Sequence, residues 1–353
     1  MNLKDEIFRE DIKILSEKYD WSVLHNSSIL ITGATGLIGQ HLVSLMLYLN
    51  ENKKTDISIY ALVRNRQKAK NIFGNEAEIR YIVGDIRQPI SISESLNYII
   101  HGASVTQSRT FVENPVETID TAYVGTKNIL ELARAKQVKS VVYLSSMEVF
   151  GTTDPQLSEV CESDYGYIDI LNPRSSYSES KRLCECLCAC YAKEFSLPVK
   201  IARLVQTLGA GADYDDNRVV AQFARSIIEK RDIVLKTEGL TCRPIVYTRD
   251  AVSGIFIVLL KGKNGEAYSI ANKTTVCTIR ETAEMIIKNI AENKIKLVFD
   301  TNIHAEYAPN LNLNLNLNLI ESLGWQSEVG LEEAYRRMIE SMKCRNNFKK
   351  SIE

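Results

Sequence analysis

Short apolar runs alternate with segments of helical spacing through the first two hundred residues. "SSILIT" (27–32), "ISIYALV" (57–63), "IRYIV" (79–83), "YIIHGA" (98–103), "SVVYLSS" (140–146) and "PVKIARLV" (198–205) read as strands. Between them lie "LIGQHLVSLMLYL" (37–49), a short polar helix, a helix from about Val116 to Lys136, and another from Tyr177 to Phe195. Strands that are apolar nearly throughout need cover on both faces, which predicts a parallel sheet between helical layers. Right-handed crossovers then make the sheet doubly wound. The opening "MNLKDEIFREDIKILSEKYDW" is acidic and amphipathic, and reads as an extra helix rather than a secretory signal.

The second half is mixed. Helices are expected from about Arg218 to Lys230, from Asp250 to Lys261, over "TIRETAEMIIKNIAEN" (278–293), and from Leu331 onward. "EAYSIA" (266–271) and "IKLVF" (295–299) read as strands. This predicts a helical extension at 1–26, a sheet domain at 27–210, and a smaller mixed α/β lobe at 211–345. That lobe is interleaved with segments of the first domain over roughly 232–262. "LNLNLNLNL" (311–319) alternates like a strand or a low-complexity loop; an extended segment is expected, with Asn318 capping a short helix.

Composition narrows the function classes. The 353 residues carry 43 lysines plus arginines against 44 aspartates plus glutamates, which gives no basic excess for nucleic acid or anionic membranes. No apolar run is long enough to span a bilayer. Of eight cysteines, four fall in "CECLCAC" (184–190). No His or CxxC partner set accompanies them, so they read as small packed side chains and no metal site is expected. Reduced thiols fit a cytoplasmic protein.

The candidate chemistry starts at "ITGATGLIG", where Gly33, Gly36 and Gly39 stand between a strand and a helix. That context suits a dinucleotide pyrophosphate on the helix N-terminus. The second strand ends in "ALVRN", with Arg64 where an NAD site carries an acid; a cation there suits the 2′-phosphate of NADP, or it is a solvated basic patch. Asp85 after the third strand either reaches an adenine or caps a turn. "YSESK" places Tyr177 and Lys181 four apart on one helix face, where an ammonium can favour a phenolate that takes a hydroxyl proton.

Together, "GATGLIG", "GDI", "HGAS", "SSMEVFG", "YSESK", "RLVQTLGAG", "DDNRVVAQF" and "CRPIVYTRDAV" resemble the extended short-chain dehydrogenases/reductases, in their nucleotide-sugar epimerase/dehydratase branch. The resemblance spans about residues 27–340. It implies a Rossmann cofactor domain, a C-terminal lobe for a nucleoside-diphosphate sugar, and a homodimer packed through the helix of Tyr177. It implies a catalytic set of Ser146, five positions before Gly151, with Tyr177 and Lys181. The cofactor set it implies is Gly33, Thr35, Gly36, Leu37, Ile38, Gly39, Arg64, Asp85, Ile86 and Ala103, again with Tyr177 and Lys181. NADP is expected, with NAD as the alternative. Arg218 and Arg243 are the implied substrate contacts.

There are departures: Ala122 stands where the family's long helix usually carries asparagine, and Gln206 and Leu208 replace a common Asn and Tyr. Glu148, two residues after Ser146, resembles an acid of dehydratases and UDP-glucuronate decarboxylases. It is either a base near C5 of a 4-keto sugar or a loop anchor; Met147 replaces the acid that usually precedes it. The expected activity is transient oxidation at sugar C4. The alternatives are an NADPH-dependent keto-sugar or keto-alditol reductase, and a non-catalytic dinucleotide sensor.

Overall fold

A computed structural model of the chain describes residues 5–74, 78–106, 108–300 and 311–350. In order, the first half forms α1 (Glu6–Lys18), β1 (Ser28–Thr32), α2 (Leu37–Lys53), β2 (Ser58–Val63), α3 (Arg66–Phe73), β3 (Ile79–Val83), β4 (Tyr98–His101), α4 (Ser108–Glu113), α5 (Pro115–Lys136), β5 (Ser140–Ser146), α6 (Ser176–Phe195) and β6 (Val199–Leu204). There follow β7 (Gln206–Leu208), α7 (Val219–Glu229), β8 (Ile233–Leu235), β9 (Cys242–Tyr247), α8 (Thr248–Lys261), β10 (Ala267–Ile270), β11 (Asn272–Thr278), α9 (Ile279–Asn289), β12 (Leu297–Phe299), α10 (Asn318–Ser322) and α11 (Leu331–Lys350).

Seven strands form one parallel sheet in the order β3-β2-β1-β4-β5-β6-β10. Side chains alternate across it, and both faces are buried along β1, β4 and β5. Ile29 and Ile31 pack on one side with Leu42 and Leu45 of α2 and with Val252 and Ile255 of α8. Leu30 and Ile99 pack on the other with Ile129 of α5 and with Cys184 and Cys188 of α6. The thiols at 184 and 188 are thus core side chains, while Cys186 and Cys190 are exposed; all eight cysteines are free. Strand order reverses between β1 and β4, which opens a crevice beyond their carboxyl ends.

The smaller lobe holds β7-β9-β11 and β8-β12, covered by α7, α9 and α11 around Phe223, Ile245, Ile286 and Met338. The chain returns to the large sheet through α8 and β10, and β8 stays with the small lobe. Helix α1 buries Phe8, Ile12 and Leu15 against the large core. Its Asp11 carboxylate accepts from Tyr247 Oη at 2.6 Å and Arg337 Nη2 at 2.8 Å, joining this helix of the large core to the small lobe.

The repeat is extended over 311–316 before it enters a helix, with Leu313, Leu315 and Leu317 buried, and it bridges Val160 and Cys242. The expected cap at Asn318 is corrected: Leu317 is the cap residue of α10, Asn318 is its first helical residue, and Asn316 Oδ1 accepts the Asn318 amide at 2.9 Å.

A buried ion pair fixes the carboxyl ends of β5 and β6. Arg203, 1% exposed, donates to both Glu185 oxygens at 2.7–3.2 Å, to the Glu162 carbonyl and to Tyr165 Oη. Ser145 Oγ donates to the same carboxylate at 2.5 Å. Removing one partner strands a buried charge, so Glu185→Ala is expected to cost about 3–5 kcal/mol of unfolding free energy. Urea denaturation measures it; a loss under about 1 kcal/mol means that the pair is not a fixed part of the core.

Candidate active site

Gly33 leaves β1 at φ 72°, a left-handed conformation, and a Cβ there would stand 2.8 Å from the Gly102 carbonyl group. A Cβ on Gly39 would stand 2.2 Å from the Gly33 oxygen, so the first turn of α2 lies tight against the loop. Gly36, exposed, is the cap residue of α2 and offers no side-chain acceptor, leaving the first amides at Leu37 and Ile38 for an anion. Thr35 is half-buried beside them. Thr32 Oγ1 accepts from the Gly102 and Ala103 amides at 3.1 and 3.0 Å and contacts His101 Nδ1 at 2.7 Å, tying the end of β4 to β1. The tight glycines and uncapped helix start fit a dinucleotide pyrophosphate.

Arg64 stands exposed just past β2 and faces Asp85. Asp85 accepts the Arg87 amide at 2.9 Å and its guanidinium at 2.6–3.1 Å, and these bonds hold the carboxyl below its usual range. Asp85 Oδ1 thus caps the turn that follows β3. Ile86 is buried under Gly125, and its carbonyl accepts from Asn128 at 2.9 Å.

Ser146 ends β5, and α6 sets Tyr177 near enough for the serine hydroxyl to favour the phenolate. Lys181, one turn on, is buried at 3% exposure; its Nζ donates to the Leu144 carbonyl at 2.8 Å and lies 5.7 Å from the centre of the Tyr177 ring. Burial lowers the lysine from 10.5 to about 8. Burial raises Tyr177 above 10, and Glu148 adds to that; the Ser146 hydroxyl, Arg174 and Arg218 work against it. The phenol thus sits between one carboxylate and a set of cations. Behind the lysine, His101 bridges Thr32 and Thr126, and burial followed by the Lys181 charge holds its pKa down to about 3.

Glu148 lies in the 3-10 turn Met147–Phe150 after β5, and its amide donates to Ser146 Oγ at 3.3 Å. Its carboxylate is gripped on both oxygens by Arg174, at 3.0 and 3.1 Å, and accepts from Ser178 Oγ at 2.8 Å. Arg174 also lies 5.1 Å over the Phe111 ring, and Phe111 stacks on Tyr177 at 4.3 Å and 10°. Sequence reading missed Arg174, Ser178 and Phe111. Arg174 lies in "NPRSSYSESK", only three residues before Tyr177, but its partner is 26 positions away and nothing local signals the pair.

The small lobe faces the same crevice. Arg218 caps α7, donates to Asp216 at 2.5–3.2 Å and acts on Tyr177 through its charge. Arg243 on β9 faces Glu148 and Tyr335, and its Nη2 reaches Gln206 Oε1 at 3.4 Å; burial pulls its pKa down. Among the described residues the buried Tyr335 hydroxyl has no hydrogen-bond partner. The geometry offers a phenol with a serine and an ammonium for proton transfer at a carbinol, and a carboxylate alongside.

The model for the NAD dependent epimerase/dehydratase family matches residues 29–271. The chain is 29% identical over 327 residues to UDP-glucuronic acid decarboxylase 3 of Arabidopsis thaliana, covering 91% of each protein. It is 27% identical to UDP-glucuronic acid decarboxylase 1 of Danio rerio, covering 93% of this chain and 74% of that one. Its fold is similar to that of a dTDP-glucose 4,6-dehydratase from Streptomyces venezuelae, solved with NAD and TYD bound. There the TM-score is 0.75 at 22% identity, over 92% of this chain and 100% of that one. It is also similar to the epimerase Mth375 of Methanothermobacter thermautotrophicus, with a TM-score of 0.79 at 18% identity over 98% of each.

The buried ammonium has a measurable signature. Between pH 8 and 10.5 the unfolded state holds a proton on Lys181 that the folded state has released, so stability rises with pH across that window. Lys181→Met lacks this gain. Urea denaturation at pH 7.5 and 9.5 should show the difference between wild type and variant growing by about 1 kcal/mol or more in favour of wild type. Parallel changes in the two proteins contradict the burial of a charged lysine.

Proposed function

Because the chain belongs to the NAD dependent epimerase/dehydratase family, we propose that it oxidises C4 of a nucleoside-diphosphate sugar, alters the 4-keto sugar, and returns the hydride. The observation that carries the reading is the placement of Tyr177 and Lys181, from one face of α6, at the Ser146 end of β5, on the same sheet edge as the glycine turn. The turn at Gly33–Gly39, with the amides of Leu37 and Ile38, would hold the dinucleotide phosphates, and Lys181 the nicotinamide ribose. Bound there, NAD(P)+ would supply the hydride acceptor.

Tyr177 as phenolate takes the C4 hydroxyl proton while the C–H bond gives up its hydride, and Ser146 orients that oxygen. Lys181 stabilises the phenolate. A C4 ketone acidifies the C5 proton, which Glu148 then abstracts. Arg243 and Arg218 hold the substrate's phosphates and sugar. Where the substrate carries a C6 carboxylate, as in the UDP-glucuronic acid of the named relatives, the same ketone permits loss of CO2.

We further propose NADP(H) as the preferred cofactor, with NAD the alternative. Arg64 is exposed at the end of β2, and the nearby Asp85 is engaged by Arg87. The proposed homodimer packs α5 and α6 of two copies together, which would cover the exposed Val116, Ile119 and Leu183. The described helices include none long and apolar enough to cross a membrane; a cytoplasmic location is our proposal, and the free thiols support it.

Three measurements test this. Calorimetry should give NADP+ about ten- to a hundredfold tighter binding than NAD+, the worth of about 1.5–3 kcal/mol from a charge-assisted contact; equal or tighter NAD+ binding refutes the preference. Tyr177→Phe should fold and bind cofactor yet lose about two to four orders of magnitude in turnover. Glu148→Gln should instead complete the hydride step and stall, with absorbance near 340 nm rising and staying high and no solvent deuterium entering C5. Wild-type rates in either variant remove that residue from the mechanism.

A further inference from the structure

Tyr177 must ionise for hydride transfer, yet a carboxylate lies close enough to oppose it. Burial and then Glu148 raise the phenol; Ser146, Arg174 and Arg218 lower it. Lys181 lies 5.7 Å from the ring centre, and the Tyr143 hydroxyl of β5 faces the phenol from behind. Glu148 in turn faces Arg174, Arg243 and Ser178.

Of these groups Arg174 is placed to act on both residues at once. Its two terminal nitrogens take one Glu148 oxygen each, at 3.0 and 3.1 Å. Its guanidinium carbon lies 5.1 Å from the Phe111 ring centre, and Phe111 stacks on Tyr177 at 4.3 Å. Ser178, the neighbour of Tyr177, closes the circuit by donating to Glu148 at 2.8 Å. The arginine side chain is 15% exposed, so its charge is poorly screened by water. A lysine could supply the charge but not the two parallel bonds.

We propose that Arg174 is a positioning residue that fixes the Glu148 carboxylate and neutralises its field at Tyr177, so that a phenol that must ionise and a carboxylate that must stay charged share one site. The proposal deepens the reading above and rests on it for the use of Glu148.

The test is a titration of Tyr177 in the NAD+-loaded full-length protein by NMR of 13Cζ-labelled tyrosine, with the signal assigned by its absence in Tyr177→Phe. Arg174→Gln should raise the Tyr177 midpoint by about one pH unit, or tenfold less phenolate at a given pH. Arg174→Lys should raise it by less than half as much. Arg174→Gln combined with Glu148→Gln should bring the midpoint back to the wild-type value or below, because the field to be neutralised has gone. An unmoved midpoint in Arg174→Gln overturns the proposal. So does a double variant as high as Arg174→Gln, or a phenol that stays protonated through pH 11 in every protein. The titration needs no turnover, so an enzyme that oxidises no sugar would sink the proposed reaction while this result stood on its own.

Discussion

An ammonium buried at the carboxyl edge of β5 organises this molecule. Lys181 is 3% exposed and reaches a carbonyl, Leu144 O, inside the sheet edge. A charge in that position is costly unless its surroundings are fixed. The fixing comes from the parallel sheet. Its register sets Ser146 beside Leu204, and α6 crosses both strands, so Lys181 and Tyr177 descend on the strand end from one helix face. The Arg203–Glu185 pair, one turn farther along α6, locks that helix to β5 and β6 from within. His101, held neutral between Thr32 and Thr126, fills the space behind the lysine without adding a competing cation.

From this follows the electrostatic layout of the crevice. The glycine turn offers backbone amides, the small lobe brings Arg218 and Arg243, and the end of β5 sets the Glu148 carboxylate near Tyr177 and Arg243. Such an arrangement suits an anionic substrate and a proton that moves between oxygen and phenol. It is also a site in which each charge depends on its neighbours, so single substitutions there are expected to be non-additive. Helix α1, outside the stretch matched by the family, packs on the large core, bonds Tyr247 of the small lobe through Asp11, and sets Phe8 on His41 of α2. It braces the crevice from behind and adds no group to it.

The large sheet was legible because its strands are long, apolar and separated by turns, and because the helices between them keep one period over many residues. The small lobe was less so. β7 and β8 are three residues each, and β11, "NKTTVCT", carries no apolar alternation; these strands exist because partners elsewhere in the chain pair with them. Asn318 was misread as a cap because the asparagine repeat offers the same side chain at every second position, and the one that bonds the helix start is Asn316. Within the site, Tyr177 and Lys181 could be read from spacing on a single helix. Asp85 admits two roles from sequence, and the fold shows its bonds to Arg87 within the turn after β3. Arg174 left no trace, since its two bonds to Glu148 arise only when the 3-10 turn at Pro173–Ser175 folds over the end of β5.

The central claim is that hydride leaves C4 and returns to the same sugar. It is tested most directly by mass spectrometry of products from a panel of nucleoside-diphosphate sugars deuterated at C4, incubated with the enzyme and sub-stoichiometric unlabelled NADP+ or NAD+. The account predicts a changed sugar that keeps its deuterium, over many turnovers, with the cofactor oxidised at the end as at the start. Loss of the label to the dinucleotide with one equivalent consumed per turnover, or no change in any sugar of the panel, contradicts it.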